Sequence, residues 1–213
     1  MNDRPEYDDL DLFVNRWLGG GKMPVPTLEL ATEMVEFYKT PAKVVVDLVE
    51  RVGIGPGDVF VDLGAGLGQV VMLVHLLTGA RALGVEIEPV YCAYARRCTE
   101  RLGLTGVSFV AADARVADLS AGTVFFLFTP FKGEVFCQVM DRVKTVASSR
   151  EIRVVGYGPC SEEIARLDWL KREGDGGCGG EGGDRGMGGD RGVGGDRGVG
   201  GEYSLQIFRS YWE

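Results

Sequence analysis

The chain of 213 residues is poor in positive charge and in histidine. It has 23 Lys and Arg against 31 Asp and Glu, a single His, and a formal net charge of −8. Binding nucleic acid through its phosphates requires clustered Lys and Arg, so this balance argues against a nucleic-acid partner. One histidine without a nearby cluster of Cys argues against a zinc site, and we expect no metal. That histidine, His75, lies in an apolar helical segment and is predicted to be structural.

Long apolar runs, a secretion signal and paired cysteines are also lacking. The longest strongly apolar run, Val70 to Leu77, is too short to span a bilayer, so we expect no membrane contact. The acidic amino terminus, MNDRPEYDDLD, lacks the apolar core of a signal peptide. The five cysteines form no CxxC pair. An odd number of thiols without an export signal is typical of a reduced, cytoplasmic protein.

Glycine, by contrast, is abundant and unevenly distributed. Of 33 glycines, 16 lie between Gly174 and Gly201, where the unit GGDRGM is followed by two copies of GGDRGV. Such a composition buries too little apolar surface to offset the entropy of ordering, so 173–201 is predicted to be a disordered low-complexity insert. Residues 1–52 are predicted to be an N-terminal helical extension, and 53–172 together with 202–213 to form one domain.

The remaining sequence alternates between helical and strand patterns. Helices are predicted from Leu10 to Leu18, from a Thr27 cap to about Tyr38, and from Pro41 to Val52. Beyond them, apolar strands at 58–63, 81–86, 107–111, 124–128, 152–156 and 203–209 alternate with helices at 69–77, 89–102, 132–146 and 161–170. Strands that are apolar on both faces predict an α/β fold with a doubly wound, mostly parallel sheet. The last strand is expected to run antiparallel at or near an edge.

A glycine-rich turn follows the first of these strands, in the segment VDLGAGLGQ from Val61 to Gln69. Glycine at Gly64, Gly66 and Gly68 permits a tight turn in which a ligand can approach N–H groups at a helix start. The third glycine comes two residues after the second, one residue earlier than in a dinucleotide-binding GxGxxG motif. A nicotinamide-dependent reductase is therefore the weaker alternative.

Carboxylates accompany the ends of three consecutive predicted strands. Asp62 lies at the glycine turn, near a position where an ammonium group could be held, and Glu86 ends the second strand, where it could accept both ribose hydroxyls. Asp113 follows the third strand, where it could accept a hydrogen bond from an adenine amino group. Because the carboxyl ends of parallel strands meet in one crevice, these groups suit a nucleoside ligand with amino groups and no pyrophosphate. S-adenosylmethionine has this chemistry.

The segments VDLGAGLG, GVEIEP and AADA, in this order and spacing, resemble motifs I to III of class I S-adenosylmethionine-dependent methyltransferases over roughly residues 38 to 170. The stretch DVFVDLGAGLGQVVMLV also resembles motif I of the non-SET histone lysine methyltransferases of the disruptor-of-telomeric-silencing type. The resemblance implies a Rossmann-like, seven-stranded-type sheet. It also implies an upstream element, YKTP, that closes over the cofactor. The cofactor-binding residues that the resemblance implies are Tyr38, Thr40, Asp62, Gly64, Gly66, Gly68, Gln69, Glu86, Asp113 and Ala114.

The segment expected to meet the methyl acceptor differs in sequence from the corresponding motifs of these enzymes. At the end of the fourth strand the histone enzymes have paired asparagines and amide methyltransferases have Asn/Asp-Pro-Pro-Tyr/Phe, whereas this chain has Phe128-Thr129-Pro130-Phe131. We predict that Thr129, Pro130 and Phe131 form the catalytic acceptor site, with Thr129 orienting the acceptor by a hydrogen bond. The predicted function is methyl transfer to a protein lysine or another amine. A small-molecule methyltransferase and a non-catalytic cofactor-binding module remain open as alternatives.

Overall fold

The structure, a computed structural model, describes residues 7–19, 22–173 and 203–211. The glycine-rich repeats from Gly174 to Gly201 lie outside the described residues, so the prediction of a disordered insert stays a prediction. The described elements, in chain order, are α1 (Asp9–Leu18), α2 (Ala42–Val52), β1 (Val59–Leu63), α3 (Gln69–Thr78), β2 (Arg81–Glu86), α4 (Pro89–Leu102), β3 (Val107–Ala111), β4 (Val124–Leu127), α5 (Gly133–Ala147), β5 (Arg153–Tyr157), α6 (Cys160–Ile164), β6 (Leu170–Arg172) and β7 (Leu205–Ser210).

The strands of the described residues form one seven-stranded sheet in the order β3-β2-β1-β4-β5-β7-β6. The five strands from β3 to β5 in this order are parallel, and β7 runs antiparallel to both β5 and β6. The predicted doubly wound, mostly parallel sheet is confirmed, and so is an antiparallel last strand near an edge. The strand order reverses direction at β1, which places a crevice between the carboxyl ends of β1 and β4.

Successive strand residues point to opposite faces, so the sheet divides the core into two layers. One layer packs α1 to α4 on a face that contains Phe60 and Phe126, whose rings stack with centroids 6.2 Å apart. The other packs α5 and α6 on a face that contains Phe125 and Leu127. The edge strand β3 differs from the prediction of strands buried on both faces, because only Phe109 is buried there and its neighbours are partly or fully exposed.

One predicted helix is shorter than expected and another is absent, and both differences arise from long-range pairing. The helix predicted over 161–170 ends at Ile164, because Leu170–Arg172 pairs with β7 instead. The helix predicted from Thr27 to Tyr38 is absent, and residues 22–39 form an irregular segment, with a bend at Leu28 and a turn at Thr32 and Glu33, that we call the strap. Met34 of the strap forms an antiparallel bridge with Phe131.

The remaining helices follow local signals. Pro89 occupies the first turn of α4, and Gly103 ends it in a left-handed conformation, as expected from their sequence positions. His75 in α3 bonds through Nδ1 to the carbonyl oxygen of Ala80 at 2.7 Å, which confirms its structural role. No helix in the described ranges is long and apolar enough to cross a membrane.

Candidate functional site: a cavity roofed by the strap

A cavity of about 810 Å³ lies at the carboxyl ends of β1, β2 and β4, beneath the strap. This volume falls within the roughly 300–1,000 Å³ typical of small-molecule and cofactor sites. The predicted site residues that line the cavity are Tyr38, Thr40, Asp62, Gly64, Gln69, Glu86, Asp113, Ala114, Pro130 and Phe131. Three predicted residues, Gly66, Gly68 and Thr129, do not line it.

Asp62 presents a buried carboxylate to this cavity. The residue is 3% exposed at the carboxyl end of β1, and its carboxylate accepts no hydrogen bond from the described residues. Burial, and then the nearby Glu86 carboxylate, raise the pKa of Asp62 to about 8. A buried carboxylate without a partner is costly unless a cation or a proton neutralises it. The geometry therefore fits a ligand that brings an ammonium group, as S-adenosylmethionine does.

Glu86, at the end of β2, is held by backbone donors on both sides. Its Oε2 accepts from the N–H of Gly66 at 2.7 Å, and its Oε1 accepts from the N–H of Glu88 at 2.8 Å. Burial raises the pKa of Glu86, while these backbone hydrogen bonds act in the opposite direction. Each carboxylate oxygen retains acceptor capacity, so the fixed carboxylate can still receive the two hydroxyls of a ribose.

The three glycines of the turn make room mainly for protein side chains. All three have positive φ, and a Cβ at Gly64 would overlap the Pro130 ring, while one at Gly66 would overlap the Phe37 ring. A Cβ at Gly68 would overlap Phe109. Of the three, only Gly64 lines the cavity. The tight turn was thus predicted correctly, but its glycines serve close packing around the site more than close approach of a ligand.

Asp113 lines the cavity at the end of β3 and is paired with Arg115. Its carboxylate accepts from the Arg115 backbone N–H at 2.8 Å and from the guanidinium, whose Nη2 lies 2.6 Å from Oδ2. These hydrogen bonds hold the pKa of Asp113 below its usual range. Sequence reasoning missed Arg115, although its position two residues after Asp113 is the spacing of a local side-chain bond. An adenine amino group would share this carboxylate with Arg115.

The strap is fastened at both ends of the cavity. At one end, the Glu88 carboxylate accepts from the Thr27 N–H, the Thr27 hydroxyl and the Leu28 N–H, each at 2.8 Å. Burial raises the pKa of Glu88, but these bonds outweigh burial and hold the pKa below its usual range. At the other end, Val35 donates to the carbonyl of Pro130 at 3.1 Å. Glu88 is a residue that sequence reasoning missed, because its partners are 60 and 61 residues away.

Gln69, the residue after the glycine turn, fastens the chain just beyond the strap. Its side-chain Nε2 donates to the carbonyl of Thr40 at 3.0 Å, and both residues are buried. Tyr38, predicted to close over the cofactor, lines the cavity, and the residue is 42% exposed. The segment predicted to cover the cofactor therefore does lie over the cavity, held by the first residue of α3.

The segment after β4, predicted to meet the methyl acceptor, forms a wall of Phe128, Pro130 and Phe131 that we call the acceptor wall. These three residues line the cavity. Behind this wall, the Phe128 ring packs against Tyr157 and Tyr203, with centroid distances of 4.7 and 5.9 Å. The hydroxyl of Thr129, predicted to orient the acceptor, instead accepts from the N–H of Cys160 at 3.1 Å and does not reach the cavity.

The architecture matches solved methyltransferases. An RNA methyltransferase from Salinibacter ruber, in complex with S-adenosyl-L-homocysteine, superposes with a TM-score of 0.53 at 22% identity and covers 81% of this chain and 92% of its own. The seven-stranded, mostly parallel sheet is of the type that the motif resemblance implied, and the acids predicted at the strand ends line the cavity. By its fold the chain is similar to class I S-adenosylmethionine-dependent methyltransferases.

Within this class, residues 35–113 match the model of the family "Histone methylation protein DOT1". A "Histone-lysine N-methyltransferase, H3 lysine-79 specific" of Cryptococcus neoformans is 44% identical over 48 residues, 22% of this chain. The chain spans 8% of the length of that fungal relative. A "Protein-lysine N-methyltransferase" of Saccharolobus islandicus is 28% identical over 140 residues, which cover 63% of this chain and 86% of the relative.

Proposed function

We propose that this chain transfers a methyl group from S-adenosylmethionine to the side-chain amine of a lysine in a protein. The observation that carries the proposal is one roofed cavity that joins the buried carboxylates of Asp62 and Glu86 to the wall formed by Phe128, Pro130 and Phe131. The archaeal protein-lysine methyltransferase supports lysine as the acceptor, since the similarity spans most of that protein.

The carboxylates are suited to hold the donor. Asp62 would accept a hydrogen bond from the methionine ammonium group, Glu86 from the ribose hydroxyls, and Asp113 from the adenine amino group. When bound, S-adenosylmethionine supplies a methyl group on a positively charged sulfur, which is open to attack by a nucleophile. The chain's own task is to fix the two reactants in line and to keep water away.

The acceptor wall is suited to a neutral amine. A lysine reacts only through a nitrogen lone pair, so its ammonium group first has to lose a proton. Desolvation against Phe128, Pro130 and Phe131 lowers the pKa of an amine and so favours the neutral form. Glu29 and Glu36 of the strap line the same cavity, and their charge attracts a cationic side chain from solution. The aromatic rings then offer cation–π contact as it enters.

A labelled transfer assay tests this function. The full chain is incubated with S-adenosylmethionine carrying a radioactive methyl group and with a lysine-rich unfolded protein, core histones, or free lysine. We expect label in protein and methyl-lysine by mass spectrometry. At S-adenosylmethionine concentrations near the wild-type Kd, Glu86→Ala should strongly reduce transfer, whereas Glu100→Ala, an exposed change on α4, should not. If the chain is instead incubated with a lysate and label appears only in small molecules, the acceptor is a small molecule and not a protein lysine. Cofactor binding without any transfer would instead indicate a non-catalytic module.

A further inference from the structure

Thr129 has a backbone conformation that its residue type disfavours. Among the described residues it is the one non-glycine residue with a positive φ, 43°. A β-branched side chain is strained in the left-handed region, because its Cβ crowds the backbone. Such outliers persist where surrounding contacts hold them in place, and they cluster at functional sites. The strained residue here directly precedes Pro130 of the acceptor wall.

A reciprocal pair of hydrogen bonds with Cys160 holds Thr129 in this conformation. The Thr129 N–H donates to Cys160 Sγ at 3.3 Å, and the Cys160 N–H donates to Thr129 Oγ1 at 3.1 Å. The Thr129 hydroxyl also donates to the carbonyl of Tyr157 at 3.4 Å. Cys160 is fully buried, and its thiol lies 3.4 Å from the carbonyl oxygen of Leu127. We call this arrangement the Thr129–Cys160 clamp. It ties the end of β4 to the start of α6.

The clamp determines the direction of the chain that follows. Immediately after Thr129, Pro130 packs on Gly64 so closely that no side chain would fit there. The carbonyl of Pro130 accepts from the Val35 N–H at 3.1 Å, and Phe131 bridges Met34. One left-handed residue therefore sets both the acceptor wall and the edge on which the strap is seated.

We propose that Thr129 is a positioning residue for methyl transfer, acting through Pro130 and Phe131 without contacting the acceptor. The inference rests on the proposed function for its kinetic consequence. Its structural consequence, the seating of the strap on Pro130, is independent of any activity. Cys160 serves the same purpose from the opposite side, as the acceptor for the Thr129 N–H and the donor to its hydroxyl.

The test compares Thr129→Val, which keeps the shape and removes the hydroxyl, with Thr129→Ser, which keeps the hydroxyl. Loss of one buried hydrogen-bonding group changes an equilibrium by about tenfold, so in Thr129→Val we expect KM for the lysine acceptor to rise by about that factor. The Kd for S-adenosylmethionine should stay near the wild-type value, because Asp62 and Glu86 are untouched. Amide hydrogen exchange at Val35 should become faster by a similar factor. Thr129→Ser should restore both values.

Three outcomes would overturn the inference. In the first, Thr129→Val has both the wild-type KM for the acceptor and the wild-type rate of amide exchange at Val35. In the second, Thr129→Val loses affinity for S-adenosylmethionine by the same factor as its KM for the acceptor rises. In the third, Thr129→Ser restores neither the acceptor KM nor the exchange rate. If Thr129→Val does not fold, Cys160→Ala serves as the second variant, with the same expectation for Val35. If the wild-type chain transfers no methyl group, the proposed function is wrong. Exchange at Val35 still decides the positioning role in that case, where faster exchange supports it and unchanged exchange refutes it.

Discussion

Below pH 8, a cation that binds beside Asp62 has to displace a proton. Burial and the neighbouring Glu86 raise the pKa of Asp62 from 3.8 to about 8 in the ligand-free protein, so the carboxyl is protonated at pH 6. In the proposed binding mode, the ammonium group of S-adenosylmethionine binds the ionised form of Asp62. Each pH unit below the pKa then weakens binding by about tenfold, or about 1.4 kcal/mol. We expect the Kd for S-adenosylmethionine to fall by roughly ninefold between pH 6 and pH 7.

Isothermal titration calorimetry in buffers of different ionisation enthalpy measures both the affinity and the protons released. At pH 6 to 7 we expect release of close to one proton for each cofactor bound. Asp62→Asn should remove both the release and the pH dependence, whereas Asp47→Asn, an exposed change on α2, should retain them. A wild-type affinity that is flat from pH 6 to pH 7.5, with no proton released, would refute the reasoning.

The same shift predicts how the stability of the ligand-free protein depends on pH. The folded protein binds the Asp62 proton more tightly than the unfolded chain, because the folded pKa is raised. The contribution of Asp62 to the free energy of unfolding is therefore largest below about pH 4. It is lost as pH rises toward 8, by up to roughly 1.4 kcal/mol per pH unit. Chemical denaturation at pH 5 and pH 7.5 should show a smaller decrease in Asp62→Asn than in the wild-type chain.

Three further predictions concern the residues around the cavity. Glu86→Ala should weaken cofactor binding by about 1–3 kcal/mol, since a charge-assisted acceptor is lost; an unchanged Kd in calorimetry would mean that the ribose lies elsewhere. Glu88→Gln replaces the charged acceptor of three strap hydrogen bonds, so amide exchange at Leu28 should accelerate while the unfolding midpoint changes little. Gly68→Ala should destabilise the fold by more than Gly103→Ala, by about 1–3 kcal/mol in urea denaturation, because both have positive φ but only Gly68 is overlaid by side chains. Equal destabilisation would show that packing on the turn contributes nothing.

The sequence predicted well those elements whose signals are local. The bounds of β2, α4 and β3 match the prediction, because apolar runs are framed there by Pro89 and by glycines. Glu86 and Asp113 meet at the cavity because the ends of parallel strands must lie along one edge. This geometric rule holds without knowledge of packing, so it located most of the site.

The conformations of the strap and of Thr129 could not be predicted from local sequence signals. Leu30, Met34 and Phe37 recur at helical spacing, yet the strap gains its hydrogen bonds from Glu88 and Pro130, which periodicity does not reveal. Tertiary contacts of this kind routinely override helix propensity. The direction of the Thr129 side chain depends on a single φ angle, which no pattern of residue types encodes.

The way in which the strap is held has a consequence for the order of folding. The bonds that fix it join distant parts of the chain, 61 residues apart between Thr27 and Glu88, and the strap has no helix or hairpin of its own to form beforehand. The groups that accept these hydrogen bonds, Glu88 and the Pro130 carbonyl, follow β2 and β4, so the strap can be held only once those strand ends are in place. Segments of this kind are also the first to open in the native state. The cavity is thus roofed only when the strap is docked, and opening of the strap would widen the route to it while the sheet stays intact.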